Sequence, residues 1–216
     1  MSAKGNSKRP PVPLEQYFTP APMVRQMIKH VLPIVRPGTP KTILEPSAGQ
    51  GAIVRAMREH FPDAEITAND VDKSLEWPEA DRSFHMDFAQ FADIQSRKSF
   101  DLCVGNPPFT LAQAHIMLGR GLARALIFLV RQGFQNSAAR ARWFRINPPS
   151  HTFVIPNRPK FDVPEAYLEQ YPEEEFGKWS TDSADYVWMA WTDTHTGPTQ
   201  QRWLPPMTKE ERRGDA

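Results

Sequence analysis

Cysteine is all but missing from this chain: Cys103 is the single example in 216 residues. Neither a disulfide framework nor a Cys-rich zinc site can be built from it, and its place in an apolar run marks it as a small core residue. Long hydrophobic runs are missing too, so no segment reads as a membrane span. The first ten residues, Met1 to Pro10, have no apolar stretch of the kind a signal peptide needs, and a cytoplasmic protein is the expectation. Net charge is nearly absent at +1, which neither requires nor forbids a polyanionic partner and leaves local charge placement to decide. The histidines show no metal-ligand spacing, so no metal is expected. No internal repeat is present. What remains is the composition of an ordinary globular protein, long enough for one domain with a sizeable core.

Proline is abundant, with 22 residues, several placed where elements should stop. Residues 1–13 are basic and Pro-rich and read as a disordered arm. A helix is predicted over 21–32, with Pro33 near its stop. A strand follows at 42–44, a Gly-containing turn at 45–51 and a helix at 52–60. Further strands are predicted at 65–68 and, more weakly, up to residue 87, then at 102–104. A helix at about 111–118 precedes the near-continuous apolar run 125–130, the pattern of a strand covered on both faces. Ser137 is placed to cap a basic helix through Arg145. The last strands are predicted at 152–155 and 186–191, separated by an acidic, aromatic insertion. The polar stretch 205–216 reads as a flexible tail. Strands alternating with helices predict an open, mostly parallel sheet with helices on both sides. Such sheets bind ligands beyond the carboxyl ends of their strands.

The most informative residues are Asn106-Pro107-Pro108-Phe109, which follow the apolar run Phe100-Asp101-Leu102-Cys103-Val104. The Asn106 side-chain oxygen can accept from an amine. The prolines stiffen the backbone and remove two N–H donors. Phe109 offers a flat face to a flat substrate. The second cluster is Glu45-Pro46-Ser47-Ala48-Gly49-Gln50-Gly51, between a strand and a helix. Its glycines let a ligand approach the backbone, and the helix N-terminus favours a carboxylate. Glu45 suits a cation better than a phosphate. Asp70 ends the next strand, where an acid commonly holds ribose hydroxyls; Asp72 competes with it. Asp87 follows the third strand and could accept from an adenine amine. Together these outline a pocket for a nucleoside carrying a sulfonium amino acid, S-adenosylmethionine.

The order Tyr17-Phe18-Thr19-Pro20, Leu44 to Gly51, Asp70, Asp87 and Asn106 to Phe109 resembles the amino-methyltransferases, and most closely the DNA adenine-N6 methyltransferases. The small phage and prophage enzymes of that family are similar also in Asn157-Arg158-Pro159-Lys160-Phe161 and Ser183-Ala184-Asp185-Tyr186-Val187-Trp188. The resemblance covers about residues 14–192. It implies an α/β class I methyltransferase (Rossmann-like) fold, with a mostly parallel seven-stranded sheet in a single domain over 14–204. It implies that Phe18 and Thr19 border the methionine end of the cofactor, and that Glu45, Ser47, Ala48 and Gly49 form the cofactor loop. Asp70 would hold the ribose, and Asp87 with Phe88 would meet the adenine. Asn106 and Pro107 would bind the target amine, and Phe109 would stack on the target base, beside Pro108 and with Phe161 as a second face.

For target contact the basic residues Arg140 and Arg142, with Arg158 and Lys160, are the candidates. The segment 157–184 is the candidate target-recognition insertion, small beside the separate recognition domain of larger family members. The expected partner is DNA, either duplex with the base flipped out or single-stranded, and the expected assembly a monomer or homodimer. Methylation of an RNA base amine or of a protein glutamine amide, and a nucleic-acid-binding module without turnover, are the alternatives.

Overall fold

In the computed structural model, residues 9–180 and 183–213 are described. Among them, eight strands form one sheet: β1 (Thr42–Glu45), β2 (Glu65–Asp70), β3 (Arg82–His85), β4 (Phe100–Gly105), β5 (Ala123–Arg131), β6 (His151–Val154), β7 (Tyr186–Thr192) and β8 (Gln200–Trp203). The order across the sheet is β3-β2-β1-β4-β5-β7-β6-β8. The first five strands run parallel. β7 is antiparallel to both β5 and β6, and β8 lies parallel to β6. The helices are α1 (Ala21–His30), α2 (Leu32–Val35), α3 (Ala52–His60), α4 (Phe88–Asp93), α5 (Ala112–Leu122), α6 (Ala138–Ile146), α7 (Glu165–Gln170), α8 (Glu173–Phe176) and α9 (Lys209–Arg213).

The sheet is central because its middle strands are apolar on both faces. Along β5, Ala125, Ile127 and Leu129 join a core with α1, α2 and α3, while Leu126, Phe128 and Val130 join a second core with α4 and α5. β7 alternates in the same way, with Tyr186, Trp188 and Ala190 on one side and Val187, Met189 and Trp191 on the other. The period of two distributes one continuous apolar run between two layers. Each fully buried side chain of this size contributes roughly 1.5–3 kcal/mol, so the middle strands anchor the fold. Gly119 of α5 lets that helix sit close to β5, since a Cβ there would lie 2.9 Å from Leu126.

The sheet departs from expectation at one edge, with eight strands rather than seven. Gln200–Trp203 is exposed throughout, so it carries no apolar alternation from which a strand could be read. Pro33 does not end a helix but opens the short α2, in the first turn where its missing N–H costs nothing. The Ser137 side chain makes no capping hydrogen bond to α6. Two segments read as loose are packed where they are described. Arg9 donates to the carbonyls of Tyr171 and Gly177 at 3.0 and 2.6 Å, and Val12 is buried. In the tail, Pro205 accepts from Gln26 and the Met207 N–H donates to Asn157. The remainder of those two readings, residues 1–8 and 214–216, lies outside the described residues, as do 181–182 of the insertion. No helix among the described residues is long and apolar enough to cross a membrane.

Candidate active site

Strand order reverses between β1 and β4, so the loops leaving these two strands diverge and open a crevice at their carboxyl ends. β1 and β4 pair directly, Leu44 opposite Cys103, which brings Glu45-Pro46 beside Gly105-Asn106. The approach is tight. A Cβ on Gly105 would lie 3.3 Å from the Pro46 ring and 3.4 Å from Phe128.

The loop after β1 depends on two left-handed glycines, Gly49 at φ +49° and Gly51 at φ +77°. A Cβ on Gly49 would lie 2.8 Å from the Phe18 ring. The loop is fastened from several directions. The Ala48 N–H donates to the Asn69 carbonyl at 2.9 Å, the Gly49 N–H donates to Asp70 at 2.9 Å, and the Trp77 indole N–H donates to the Gly49 carbonyl at 2.7 Å. Below it, Ser47 Oγ lies 3.2 Å from His115 Nε2, and His115 Nδ1 lies 3.2 Å from the Leu111 carbonyl. A carbonyl only accepts, so Nδ1 carries the proton and Nε2 accepts from Ser47. Burial holds the His115 imidazole below its ordinary pKa, which preserves the neutral form this arrangement needs.

Glu45 is inside the protein at the end of β1, 3% exposed. Burial pushes its carboxyl well above the ordinary range, and Asp70 adds to the rise; the Val54 N–H in the first turn of α3 and the Arg55 charge pull back. Its Oε2 is buried without a protein partner. A buried carboxyl with one oxygen unmatched is a strong attractor for a cation or amine that enters beside it.

At the end of β4 the Asn106 side chain is fixed by Tyr17. Asn106 Nδ2 donates to the Tyr17 carbonyl at 2.8 Å. That carbonyl can only accept, which settles the orientation of the amide. Asn106 Oδ1 is left buried and without a protein partner. Pro107 is buried, and the Pro108 carbonyl accepts the Leu111 N–H at 2.9 Å, so the loop turns directly into α5. Phe109 is half-buried in an aromatic group: Tyr17 at 6.0 Å, Phe161 at 6.1 Å and Tyr186 at 5.4 Å between ring centroids.

The two loops and the segment before α1 enclose a cavity of about 150 Å³. Phe18, Thr19, Glu45, Ser47, Ala48, Gly49 and Asn106 all line it. These are residues that the sequence motifs assign to one site. Asp70 lies behind the loop: one oxygen accepts the Gly49 N–H and the other the Asp72 N–H, at 2.9 and 3.0 Å. Asp87 caps α4 through the Ala89 N–H at 2.8 Å, and Phe88 is buried with its ring 5.0 Å from that of His115. Both stand outside the wall of the cavity. Phe161 is 1% exposed and packs its ring against Tyr17, Phe109 and Tyr186, so it supports the aromatic group from within. Arg158 pairs with Asp185 at 2.8 Å. Lys160 and Arg142 are exposed. Arg140 donates to the Phe134 carbonyl at 3.1 Å.

The structure adds residues that no motif announced. Trp77 and His115 hold the loop after β1 from outside its own stretch of chain. Asp162 and Arg55 line the cavity; Asp162 is fixed there by paired backbone bonds with Phe18, of 2.8 and 3.2 Å. Only a partner across the fold gives these residues meaning, and sequence spacing carries no such signal.

No protein-family model matches the chain. Over 55 residues it is 40% identical to the type II methyltransferase M.XamI of Xanthomonas campestris pv. amaranthicola, a stretch amounting to 26% of this chain and 10% of that protein. The methyltransferase subunit of a type I restriction-modification system from Streptococcus thermophilus superposes with a TM-score of 0.63 at 10% identity, over 93% of this chain and 52% of that one. A chain of the DrdV–DNA complex superposes with a TM-score of 0.55 at 12% identity, over 93% of this chain and 29% of that one. This chain thus spans a tenth of its curated relative and about half of the first of these structures. The superpositions establish the fold: an α/β, Rossmann-like sheet of the methyltransferase type.

Proposed function

We propose that this chain transfers a methyl group from S-adenosylmethionine to the exocyclic N6 amine of adenine in DNA. The observation that carries the reading is the Asn106 amide, whose nitrogen is tied to Tyr17 and whose oxygen is buried and unmatched at the crevice. A buried acceptor without a donor is costly, at about 1–3 kcal/mol, and this one lines the cavity, where a ligand can supply the donor. An aromatic amine bound beside an aromatic group supplies one.

The cavity fits the proposed cofactor by its donor set. Glu45 offers a carboxyl for the amino-acid ammonium, and the first turn of α3 and Arg55 offer positive potential for the carboxylate; Asp70 stands behind the loop and not in the cavity wall, so its part toward the ribose rests on the motif and on its hold on Gly49. When bound, the cofactor supplies an electrophilic methyl carbon on sulfonium sulfur.

The chain's own contribution concerns the amine. Adenine nitrogen is a poor nucleophile because its lone pair is delocalised into the ring. Acceptance of its N–H bonds by Asn106 Oδ1 and the Pro107 carbonyl favours a pyramidal nitrogen with a localised pair. The same oxygens stabilise the positive charge that grows on nitrogen during attack, and the surplus N–H proton of the methylated amine then leaves to solvent or through a loop group. Phe109 offers stacking, worth roughly 1–3 kcal/mol per base, which offsets part of the cost of unstacking. The buried loops fix the acceptors in advance, so much of the rate gain lies in positioning. Similarity to part of a type II methyltransferase and to a restriction-modification subunit supports DNA as the substrate.

The test is to incubate the chain with methyl-labelled S-adenosylmethionine and DNA, RNA or a glutamine-bearing protein, then digest to nucleosides or amino acids. Label in N6-methyladenine from DNA is expected. Label confined to RNA or glutamine would replace the substrate assignment, and no transfer to any of them would remove the enzymatic one.

A further inference from the structure

The charged residues that line the cavity beside Asn106 are Glu45, Arg55 and Asp162. Glu45 is buried at the end of β1, and one Arg55 nitrogen donates to the Gln50 carbonyl at 2.6 Å. Asp162 comes from the segment after β6. It is exposed, and its carboxylate has no hydrogen-bond or ion-pair partner among the described residues. The backbone aims that carboxylate. Asp162 and Phe18 form an antiparallel bridge and exchange both N–H···O bonds, at 2.8 and 3.2 Å. Residues paired in this way present their side chains to one face. The Phe18 ring lies on that face against Gly49, where a Cβ would be 2.8 Å away, so the Asp162 side chain leaves toward the loop after β1. The preceding residue, Tyr17, holds the Asn106 amide through its carbonyl. Two consecutive residues therefore fix the amine acceptor and an unengaged carboxylate at one cavity.

Building on the function proposed above, we infer that Asp162 recognises the sulfonium charge of S-adenosylmethionine and so distinguishes the methyl donor from its spent product. The charges match in number. The donor's amino-acid end carries an ammonium, a carboxylate and a sulfonium; the cavity wall carries Glu45, Arg55 and Asp162. Depth assigns the partners. The transferable methyl must face an amine that enters from solvent, so the sulfonium belongs on the open side of the cavity. Glu45 is buried and Asp162 is exposed, which leaves the ammonium to Glu45 and the sulfonium to Asp162. S-adenosylhomocysteine has a neutral thioether at the same position, so the attraction ends with the loss of the methyl and the product is the more readily released. An exposed carboxylate acts through a field that water and salt screen, so the discrimination it provides is moderate in size.

The experiment titrates the chain by calorimetry with S-adenosylmethionine, with S-adenosylhomocysteine and with sinefungin, in which a protonated amine replaces the methyl sulfonium. Asp162→Asn keeps the size of the side chain and the backbone bridge to Phe18. It should weaken S-adenosylmethionine and sinefungin about three- to tenfold and leave S-adenosylhomocysteine unchanged. The unchanged product affinity shows that the cavity is intact. The wild-type preference for the two charged ligands should shrink as salt rises, and that of the variant should not. Glu45→Gln is the counterpart: it should weaken all three ligands alike, because the ammonium is common to them. In turnover, Asp162→Asn should raise KM for S-adenosylmethionine with kcat nearly unchanged, the mark of an attraction lost from ground and transition state together. Equal losses for all three ligands in Asp162→Asn would assign the carboxylate to the ammonium or to the shape of the cavity, and wild-type affinities throughout would give it no part; either result overturns the inference. Failure of the wild-type chain to bind any of the three would overturn it together with the cofactor reading on which it rests, whereas wild-type binding with equal losses in the variant removes the role of Asp162 alone.

Discussion

Asp70 accepts the Gly49 N–H at 2.9 Å, so the end of the second strand holds the loop that leaves the first. The same carboxylate accepts the Asp72 N–H at 3.0 Å. A proposed ribose contact thus has a structural duty as well. Charge-assisted bonds of this kind contribute about 1.5–3 kcal/mol each. Asp70→Ala should weaken S-adenosylhomocysteine binding at least about tenfold, which corresponds to ~1.4 kcal/mol, and lower the unfolding temperature. Asp70→Asn should fall between, because its amide oxygen can still accept one of the two N–H groups. Calorimetric titration beside thermal unfolding separates the two effects. Undiminished affinity in Asp70→Ala would contradict both roles.

Asn106→Ala removes the unmatched acceptor and leaves the β1 loop untouched. Turnover should fall about 10²–10³-fold, the scale of losing one preorganised polar group that acts on transition-state charge. S-adenosylhomocysteine affinity should stay within about threefold, since Glu45 and the glycines are unchanged. Asn106→Asp is expected to be as poor, because it has no N–H for the Tyr17 carbonyl and sets a negative charge against it. Single-turnover rates measured with saturating cofactor check this. A variant that loses cofactor binding and rate together would assign Asn106 to the cofactor side.

These sites are readable in the sequence to the extent that their chemistry is local. Asn106 to Phe109 places an acceptor, a stiff backbone and an aromatic face within four residues, and Glu45 to Gly51 a carboxylate and two flexible glycines within seven, each at the end of an apolar strand. The near-continuous apolar run of β5 announces a strand covered on both faces for the same reason. What escapes depends on distant partners. His115 reads as one more polar residue on α5 until Ser47 stands above it. Trp77 sits in an irregular stretch, and only its distant partners, the Gly49 carbonyl and the His85 ring, explain it. Phe161 reads as a free stacking face because an aromatic residue near a target loop does not declare its own burial. β8 is silent because an exposed edge strand need not alternate.

Gly49 has a conformational reason and a steric one. Its φ of +49° is disfavoured for other residues, and a Cβ there would meet the Phe18 ring at 2.8 Å. Gly49→Ala should therefore destabilise by more than the ~1 kcal/mol that bounds the gain at a compatible site. It should also displace Phe18 from the cavity wall. Gly38 provides the comparison, with φ +85° and nothing within 4 Å of the position a Cβ would take; Gly38→Ala meets the backbone penalty alone. Thermal unfolding of both variants, with S-adenosylhomocysteine titration, should show the larger loss of both stability and binding in Gly49→Ala.

Glu45 makes folding and ligand binding respond to pH in opposite directions. Burial, with Asp70 nearby, raises its pKa well above 4.5 in the folded chain. Between 4.5 and that raised value the folded state holds a proton that the unfolded state has lost. Its contribution to stability is therefore complete below 4.5 and declines as pH rises through the window, with no further change above it. In the proposed binding mode the ligand's ammonium needs the carboxylate, so binding should follow the reverse course. Within the window, S-adenosylhomocysteine must displace the proton, so its affinity should climb with pH and level off once Glu45 is ionised in the free protein. Titration in two buffers of different ionisation enthalpy should reveal proton release in that range. Glu45→Gln should abolish the release, flatten this part of the pH profile and weaken binding by about tenfold, or ~1.4 kcal/mol. It should not lower the unfolding temperature at neutral pH, because the amide oxygen can still accept the Val54 N–H and no buried charge remains to be solvated. A wild-type titration without proton release across the window would place the ligand's ammonium away from Glu45.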